Sequence, residues 1–265
     1  MILRYTESGY LVIFPRDNPH KIVDAMLGTG YGEEFCVSPH FEPDFIARLM
    51  QAGFLVMSSR IADLDAETDA DSDAGTDAEN TPRYILLPKL HLSRSALFFD
   101  NLHVKKSIRR HLGRYDLRAD ADFHRIVDRC LAIHGDDWLT PPLVAAIRQI
   151  RQGALRGVHP MSFALYREGE LVAGEFGVQV GRVYTSYSGY YDEDNAGTAQ
   201  IILATRYLQE NGYAFFDLGM PLDYKTTLGA VDISPQDFVA LFRLAQNNEK
   251  VKSKLILPHF RDLGT

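Results

Sequence analysis

The chain has 265 residues, 46% of them apolar, and a formal net charge of −7. This length and apolar content allow one or two ordinary hydrophobic cores, and no apolar run of eighteen residues is present to predict a membrane-spanning helix. Cys36 and Cys130 have neither metal-site spacing nor the number that a disulfide framework needs, and the first residues lack a signal-peptide pattern, so we expect a cytoplasmic protein without a membrane partner.

Residues 1–62 predict a small α/β domain. A short apolar strand is expected at residues 10–14 and a helix at residues 19–27. A second helix begins at Pro43, a residue type favoured at the first helical position, and residues 54–57 return as a strand.

Residues 63–82 form an acidic segment that is rich in alanine, aspartate and threonine. Eight acids and no base lie there, and without them the net charge becomes +1, so the overall acidity does not argue against a nucleic-acid partner. The segment has one leucine and cannot offset its ordering entropy, which predicts a disordered loop. A calcium loop starting at Asp69 is the less favoured alternative, because its glycine comes one position late.

Residues 83–247 predict a second, larger domain, followed by a tail at residues 248–265. After strands at residues 84–87 and 95–99, a short basic helix is expected over residues 102–112. Its exposed face is either simply solvated or a phosphate-contacting patch, and the sequence favours neither. The candidate nucleic-acid-binding residues are Lys105, Lys106, Arg109, Arg110 and Arg114. The patch could be extended by Arg118, Arg148, Arg151 and Arg156.

The only tryptophan, Trp138, lies between two predicted helices. These span residues 122–134 and 140–153, with Thr140 as the N-cap of the second and Pro141 as its first residue. A tryptophan in such a loop is either a packing plug or the floor of a pocket, where it can stack on a base.

Residues 161–219 organise the rest of the chain. Three apolar strands are separated by tight turns at residues 167–170 and 181–182, which predicts antiparallel hairpins. A helix that ends at Gly212 and a last strand at residues 214–218 follow. This order resembles the core of GNAT-type N-acyltransferases. The resemblance implies an α+β fold with a mixed, mainly antiparallel sheet flanked by helices, and a substrate site where neighbouring strands splay apart beside the loop that enters the helix.

Six motifs follow one another in a single order. They are Leu102-His-Val-Lys-Lys-Ser107, Asp137-Trp-Leu-Thr140, Gly169-Glu-Leu-Val-Ala-Gly174 with Gly177-Val178, Asn195-Ala196, Phe216-Asp217 and Leu228-Gly-Ala230. Together they resemble the leucyl/phenylalanyl-tRNA–protein transferase family over about three fifths of the chain. The resemblance implies transfer of an amino acid from aminoacyl-tRNA to the N-terminal α-amino group of a protein, an N-degron type of modification that uses no cofactor. Its expected partners are aminoacyl-tRNA, held by the basic residues, and an acceptor protein or peptide N-terminus.

The resemblance also assigns residues to a hydrophobic amino-acid pocket and a catalytic loop. Trp138 matches the family's pocket tryptophan, and Asp217 matches the aspartate of its Asp-Cys-Gln motif. Ser188 and Asn195 match positions in the loop before the long helix.

Two positions depart from the family pattern. Tyr187 stands where the family has a glutamate, and Gly219 stands where it has a glutamine. With both groups replaced, Asp217 is the expected proton acceptor, unless it only caps the turn after its strand. The phenol of Tyr187 or Tyr190 could orient the carbonyl group, and Gly219 could free volume and a backbone N–H.

Two other functions stay open. The missing glutamate and glutamine favour a catalytically silent descendant that binds tRNA or a peptide. An acyl-CoA-dependent N-acyltransferase is less favoured, because the usual pyrophosphate-binding loop is replaced by Asn195-Ala-Gly-Thr-Ala199, a poor substitute.

Overall fold

The computed structural model of the protein describes residues 3–61 and 83–246. The predicted acidic loop at residues 63–82 and the predicted tail at residues 248–265 lie outside these residues. Within the two described ranges, no helix is long and apolar enough to cross a membrane.

The N-terminal elements follow the predicted order. They are β1 (Arg4–Tyr5), β2 (Leu11–Val12), α1 (Pro19–Gly28), α2 (Pro43–Gln51), β3 (Leu55–Arg60) and β4 (Tyr84–Lys89). Both predicted helices are confirmed, and the Asn18 side chain caps the first of them by accepting hydrogen bonds from the backbone N–H groups of His20 and Lys21. Strand β3 pairs with β4 over its full length, antiparallel, so the predicted boundary near residue 62 falls between two paired strands.

The remaining elements surround a seven-stranded sheet. They are β5 (Arg94–Leu97), α3 (Lys106–Arg109), β6 (Asp116–Ala119), α4 (Phe123–His134), α5 (Pro141–Gly153), β7 (Val158–Arg167), β8 (Glu170–Val180), β9 (Val183–Tyr191), α6 (Ala196–Glu210), β10 (Phe215–Asp217), α7 (Asp223–Thr227), β11 (Val231–Ile233) and α8 (Pro235–Gln246).

The sheet is mixed and mainly antiparallel, in the order β11-β5-β10-β9-β8-β7-β6. The two predicted hairpins, β7–β8 and β8–β9, are confirmed, and Gly169 and Gly181 take positive φ in their turns. Strand β10 pairs parallel with β9, which is possible because α6 carries the chain back between them. The predicted α+β class is confirmed.

Both faces of the sheet are covered by helices. On β7, Met161 and Phe163 pack in a core with Ala204 and Leu208 of α6. The other face packs on α4, α5 and α8, and its core is continuous with that of the N-terminal elements. Cys130 of α4 is 1% exposed and packs in this core.

The predicted basic helix over residues 102–112 is wrong in extent. Only α3 is α-helical there, and a short 3-10 turn follows at Leu112–Arg114. The reason is tertiary. The backbone N–H of His103 donates to the carbonyl oxygen of Leu228 at 2.9 Å, and a Cβ at Gly229 would lie 1.9 Å from the carbonyl oxygen of Asn101. This close approach of the two backbone segments prevents the residues just before α3 from joining the helix.

Candidate active site

A cavity of about 880 Å³ opens where two parallel strands separate. Strand β10 pairs with β9 only as far as Asp217 and Thr185. Beyond that point the end of β9, the first turn of α6 and the loop after β10 form the cavity wall, with β3 and Trp138 opposite. The resemblance to GNAT-type enzymes led us to expect the substrate site where neighbouring strands splay apart, beside the loop that enters α6. Six of the seven predicted catalytic and pocket residues line the cavity.

Tyr187 reaches the cavity because strand β9 bulges. Ser188 lies opposite Phe176 and Ser186 lies opposite Gly177, so Tyr187 is an extra residue with no cross-strand partner. A Cβ at Gly177 would lie 2.2 Å from the carbonyl oxygen of Thr185, so only glycine fits beside this bulge. A bulge of this kind redirects one side chain out of the regular alternation of the strand.

The Tyr187 hydroxyl has one hydrogen-bond partner among the residues that the structure describes. It accepts a hydrogen bond from the backbone N–H of Val56 at 3.1 Å, which leaves its own proton to donate elsewhere. Burial raises the pKa of Tyr187 well above its ordinary value, so the phenol stays neutral near pH 7. Its ring centroid lies 6.5 Å from that of Trp138.

The predicted pocket residues lie together on the wall. Trp138 is half-buried there, and its carbonyl oxygen accepts a hydrogen bond from the backbone N–H of Ser58 at 2.9 Å. Ser188 and the buried Tyr190 lie on the β9 side. Asn195 has φ +71° at the entrance of α6, and its side chain does not cap that helix.

Asp217 lies behind the wall and does not line the cavity. It is 0% exposed, and Arg94, itself 1% exposed, donates to both of its carboxylate oxygens, Nε to Oδ1 at 2.8 Å and Nη2 to Oδ2 at 2.6 Å. The Thr185 hydroxyl donates to Oδ2 at 2.8 Å. Burial alone would raise the pKa of Asp217, but the Arg94 charge and these hydrogen bonds hold it below its usual range. A carboxylate bound in this way is a poor proton acceptor.

Gly219 lines the cavity with open space at its Cα. A Cβ there would meet only Leu55 Cδ1 at 3.6 Å, so the expected free volume is present. The expected free N–H is not present, because it donates to Asp217 Oδ1 at 3.0 Å. This bond is the turn cap that was the alternative role of Asp217.

Comparison with known proteins assigns the family. The family model described as leucyl/phenylalanyl-tRNA protein transferase matches residues 96–243. The chain belongs to this family. The leucyl/phenylalanyl-tRNA–protein transferase of Pseudomonas putida (strain W619) is 33% identical over 150 residues, which is 55% of this chain and 65% of that protein. The protein of the same name from Rhizorhabdus wittichii is 30% identical over 209 residues, 77% of this chain and 75% of that protein.

The coverage of these relatives is partial. The matched part of this chain spans 65% of the length of each of the first Pseudomonas relatives. Among solved structures, that of L-PGS from Bacillus licheniformis has a TM-score of 0.40 and 13% sequence identity, over 92% of this chain and 88% of that one.

The family match covers every residue that the sequence predicted for the site, but not the whole cavity wall. Leu55, Met57, Lys89 and His91 also line the cavity and lie before the matched range. His91 is 5% exposed, and burial, with the Arg94 and Lys89 charges nearby, lowers its pKa to about 3, so it is neutral near pH 7.

Besides His91, three buried polar wall residues were missed by the sequence analysis. Glu175 of β8 and Gln200 of α6 are each 4% exposed, and Lys225 of α7 is 6% exposed. Burial raises the pKa of Glu175 to about 7, although Tyr184 and Gln200, which face the same carboxyl group, oppose the rise. One signal was available, since Glu175 is the only acid in the apolar stretch from residue 171 to residue 180.

The predicted basic residues form an exposed surface beside the cavity. The side chains of Lys105, Lys106, Arg109, Arg110 and Arg114 are exposed, and none forms a salt bridge within the described residues. Ile108 of the same segment packs with Ala196 and Ala199 of α6, the helix whose first turn lines the cavity. We call this segment, residues 105–114, the basic surface.

The expected extension of the basic surface is engaged elsewhere. Each of its four arginines forms an ion pair with an aspartate, namely Arg118 with Asp116, Arg148 with Asp128, Arg151 with Asp120 and Arg156 with Asp44. These paired charges are less available to a phosphate backbone than the residues of the basic surface.

Proposed function

We propose that this chain transfers an amino acid from aminoacyl-tRNA to the N-terminal α-amino group of a protein. The observation that carries the proposal is the placement of Trp138 and Tyr187, whose rings face one cavity at a centroid distance of 6.5 Å. Both residues lie in the stretch that matches the family model. The named relatives carry the name of this reaction.

The reaction is aminolysis of an ester, and it makes three demands on a site. The amine must be aligned with the ester carbonyl, it must lose a proton, and the oxyanion must be stabilised. The ester is already an activated acyl donor, so the residues of the chain suffice without a cofactor.

Tyr187 is placed to stabilise the oxyanion. Its oxygen already accepts a hydrogen bond from Val56, and its proton can therefore point at the substrate carbonyl oxygen. The raised pKa keeps that proton on the phenol near pH 7. In this role Tyr187 is a hydrogen-bond donor and not a substitute for the glutamate that the family resemblance expects at its position.

Binding of the donor divides between the cavity and the basic surface. Trp138 and Tyr190 offer aromatic rings to the amino-acid side chain, and Ser188 and Asn195 offer polar groups to the terminal nucleotide. The basic surface offers to the phosphates of the acceptor stem five cations that form no salt bridge with another described residue. Asp217 is a positioning residue, because it fixes Arg94, Thr185 and the turn at Gly219.

A transfer assay tests the proposal. The protein is mixed with tRNA carrying radiolabelled leucine, phenylalanine or a mixed amino-acid pool, and with peptides that begin with Arg, Lys, Asp or Glu. The control is the same peptide with an acetylated N-terminus. We expect label in a free peptide and none in the acetylated one. If wild-type protein binds charged tRNA and no peptide is labelled, the transfer reaction is refuted.

A second candidate, binding of tRNA or a peptide without turnover, rests on one observation. Asp217, the expected proton acceptor, is ion-paired and shielded from the cavity. Tight tRNA binding without label transfer is the result that favours this candidate.

A further inference from the structure

Two buried side chains on the cavity wall each have a polar atom without a hydrogen-bond partner among the described residues. They are Glu175 Oε1 and Gln200 Nε2. Glu175 and Gln200 both line the cavity, and each is more than nine-tenths buried. Buried polar groups are normally paired, because an unpaired one destabilises the fold. The unpaired Glu175 oxygen on the cavity wall therefore indicates a polar group that a ligand supplies.

Within the described residues, Glu175 also forms no salt bridge. Lys225 is the nearest candidate on the wall, but its ammonium group donates to the carbonyl oxygens of Leu218 at 2.6 Å and Met220 at 2.7 Å. Asp194, the other acid that lines the cavity, is exposed to solvent. Among the described residues of the wall, Glu175 is thus the one buried acid, and the group that suits it is an N–H donor with positive charge.

We propose that the Glu175 carboxylate binds the α-ammonium group of the acceptor and takes the proton which that group must lose before it attacks the ester. This inference rests on the proposed function. The inference places the proton-accepting carboxylate on β8. The family resemblance implies a glutamate on β9, where Tyr187 stands, and the other expected proton acceptor, Asp217, is not accessible from the cavity. The side chains of Ser186 and Gln200 lie near the Glu175 carboxyl group and favour its charged form.

The proton balance is complete. One proton passes from the α-ammonium group to the Glu175 carboxylate, and the neutral amine then attacks the ester carbonyl carbon. The C–N bond forms, the C–O bond to the ribose breaks, and a second proton from the amine goes to the ribose oxygen. The third stays on the amide nitrogen. Glu175 then releases its proton to solvent, so no oxidant or other reactant is required.

The pH profile follows from this chemistry. The carboxyl group has a pKa of about 7 and the α-amino group one near 8. Binding requires the Glu175 carboxyl group to be deprotonated and the α-amino group to be protonated. Activity should therefore rise with pH through about 7, and a carboxyl group with this pKa is well suited to accept a proton near neutral pH.

The test uses Glu175→Gln, which keeps the size of the side chain and removes its charge. Glu170→Gln is the matched control, because Glu170 is an exposed acid at the start of the same strand. Peptide binding is measured first, with a free and an N-acetylated peptide, in the absence of tRNA. We expect the free peptide to bind about 10- to 100-fold more tightly to the wild type, as hydrogen bonds to charged groups allow. The preference should disappear in Glu175→Gln and persist in Glu170→Gln.

Transfer kinetics are measured second. We expect kcat of Glu175→Gln to fall by about 10²- to 10⁴-fold, with tRNA affinity unchanged and without the rise in rate near pH 7. Glu175→Asp, which retains a carboxylate, should restore part of kcat. A merely structural role would not change the pH profile of a folded variant.

The outcomes separate this inference from the proposed function. A peptide preference that survives in Glu175→Gln overturns the inference, as does an unchanged pH profile. The inference is also overturned if Glu175→Gln loses activity with lysyl- or arginyl-tRNA but not with leucyl-tRNA. The carboxylate would then contact the side chain of the donor amino acid. A last outcome is that the wild type transfers nothing but prefers the free peptide, and that Glu175→Gln lacks this preference. In that case the proposed function fails, and Glu175 is still the binding site of the amine.

Discussion

Arg94 and Asp217 form a bidentate ion pair that is sealed from solvent between two neighbouring strands. Nε–Oδ1 is 2.8 Å, Nη2–Oδ2 is 2.6 Å, and the side chains are 1% and 0% exposed. The Arg94 guanidinium carbon also lies 4.3 Å from the ring centroid of Phe238 in α8. The pair therefore joins β5, β10 and α8 directly behind the cavity.

Replacing one partner of this pair should destabilise the fold. Asp217→Asn leaves the Arg94 charge buried without a counterion, and we expect a loss of about 3–5 kcal/mol in the free energy of unfolding, measured by urea denaturation. The double variant Arg94→Met/Asp217→Leu is the control, since replacing both charges by apolar groups should recover much of the loss. If Asp217→Asn has wild-type stability but no transfer activity, the positioning role is contradicted, and Asp217 takes part in the reaction itself.

The ion pair also shows what the sequence could and could not predict about the site. Asp217 could be located at the end of a strand from local pattern alone, but its partner is 123 residues away in the chain and no spacing rule connects them. Burial decides its role, and burial depends on the packing of α8. For Glu175 the signal was local, because an isolated acid in an apolar strand indicates a buried carboxyl group.

Local sequence patterns predicted the helices and hairpins, but not the features that depend on contacts between distant parts of the chain. The hairpins around β8 and the two helices before β7 follow from turn residues, capping and periodicity. The basic helix over residues 102–112 was predicted too long because a distant backbone, at Leu228 and Gly229, holds its first residues in place. The bulge at Tyr187 was missed for a similar reason, since a one-residue register shift is set by the neighbouring strand.

The basic surface should dominate the salt dependence of tRNA binding. For the triple variant Lys105→Ala/Lys106→Ala/Arg110→Ala we expect weaker binding and a slope of log K against log salt that is shallower by about 0.7–0.9 for each lost phosphate contact. The measurement is a tRNA titration between low and physiological salt. The control is Arg118→Ala/Arg148→Ala/Arg156→Ala, which removes the same net charge from arginines that are paired with aspartates. Equal slopes for the two triple variants would contradict a phosphate-binding role for this surface.

Glu175 should make the stability of the ligand-free protein depend on pH. Its pKa is raised from 4.5 to about 7 in the folded state, so the folded chain holds this proton over a pH range in which the unfolded chain releases it. The resulting stability is present below about pH 4.5 and is lost as pH rises through 7. Relative to wild type, Glu175→Gln should therefore gain roughly 3 kcal/mol between pH 4 and pH 8, at 1.36 kcal/mol for each pKa unit. Urea denaturation at a series of pH values measures this difference, and Glu170→Gln should show none. A constant difference between Glu175→Gln and wild type would show that the carboxyl group titrates normally.

Trp138 should contribute more to donor binding than to folding. Its backbone carbonyl keeps the hydrogen bond from Ser58 in any variant, whereas its ring forms part of the cavity wall. For Trp138→Ala we expect the KM for aminoacyl-tRNA to rise by roughly 10- to 100-fold, which corresponds to about 1.4–2.8 kcal/mol for the loss of one large apolar contact. Trp138→Phe should keep most of the affinity because it retains an aromatic face opposite Tyr187. The KM for aminoacyl-tRNA is measured by transfer kinetics and the melting temperature by thermal denaturation, for the wild type and for each variant. A lower melting temperature with an unchanged KM would identify the ring as a packing plug and not as a wall of the donor site.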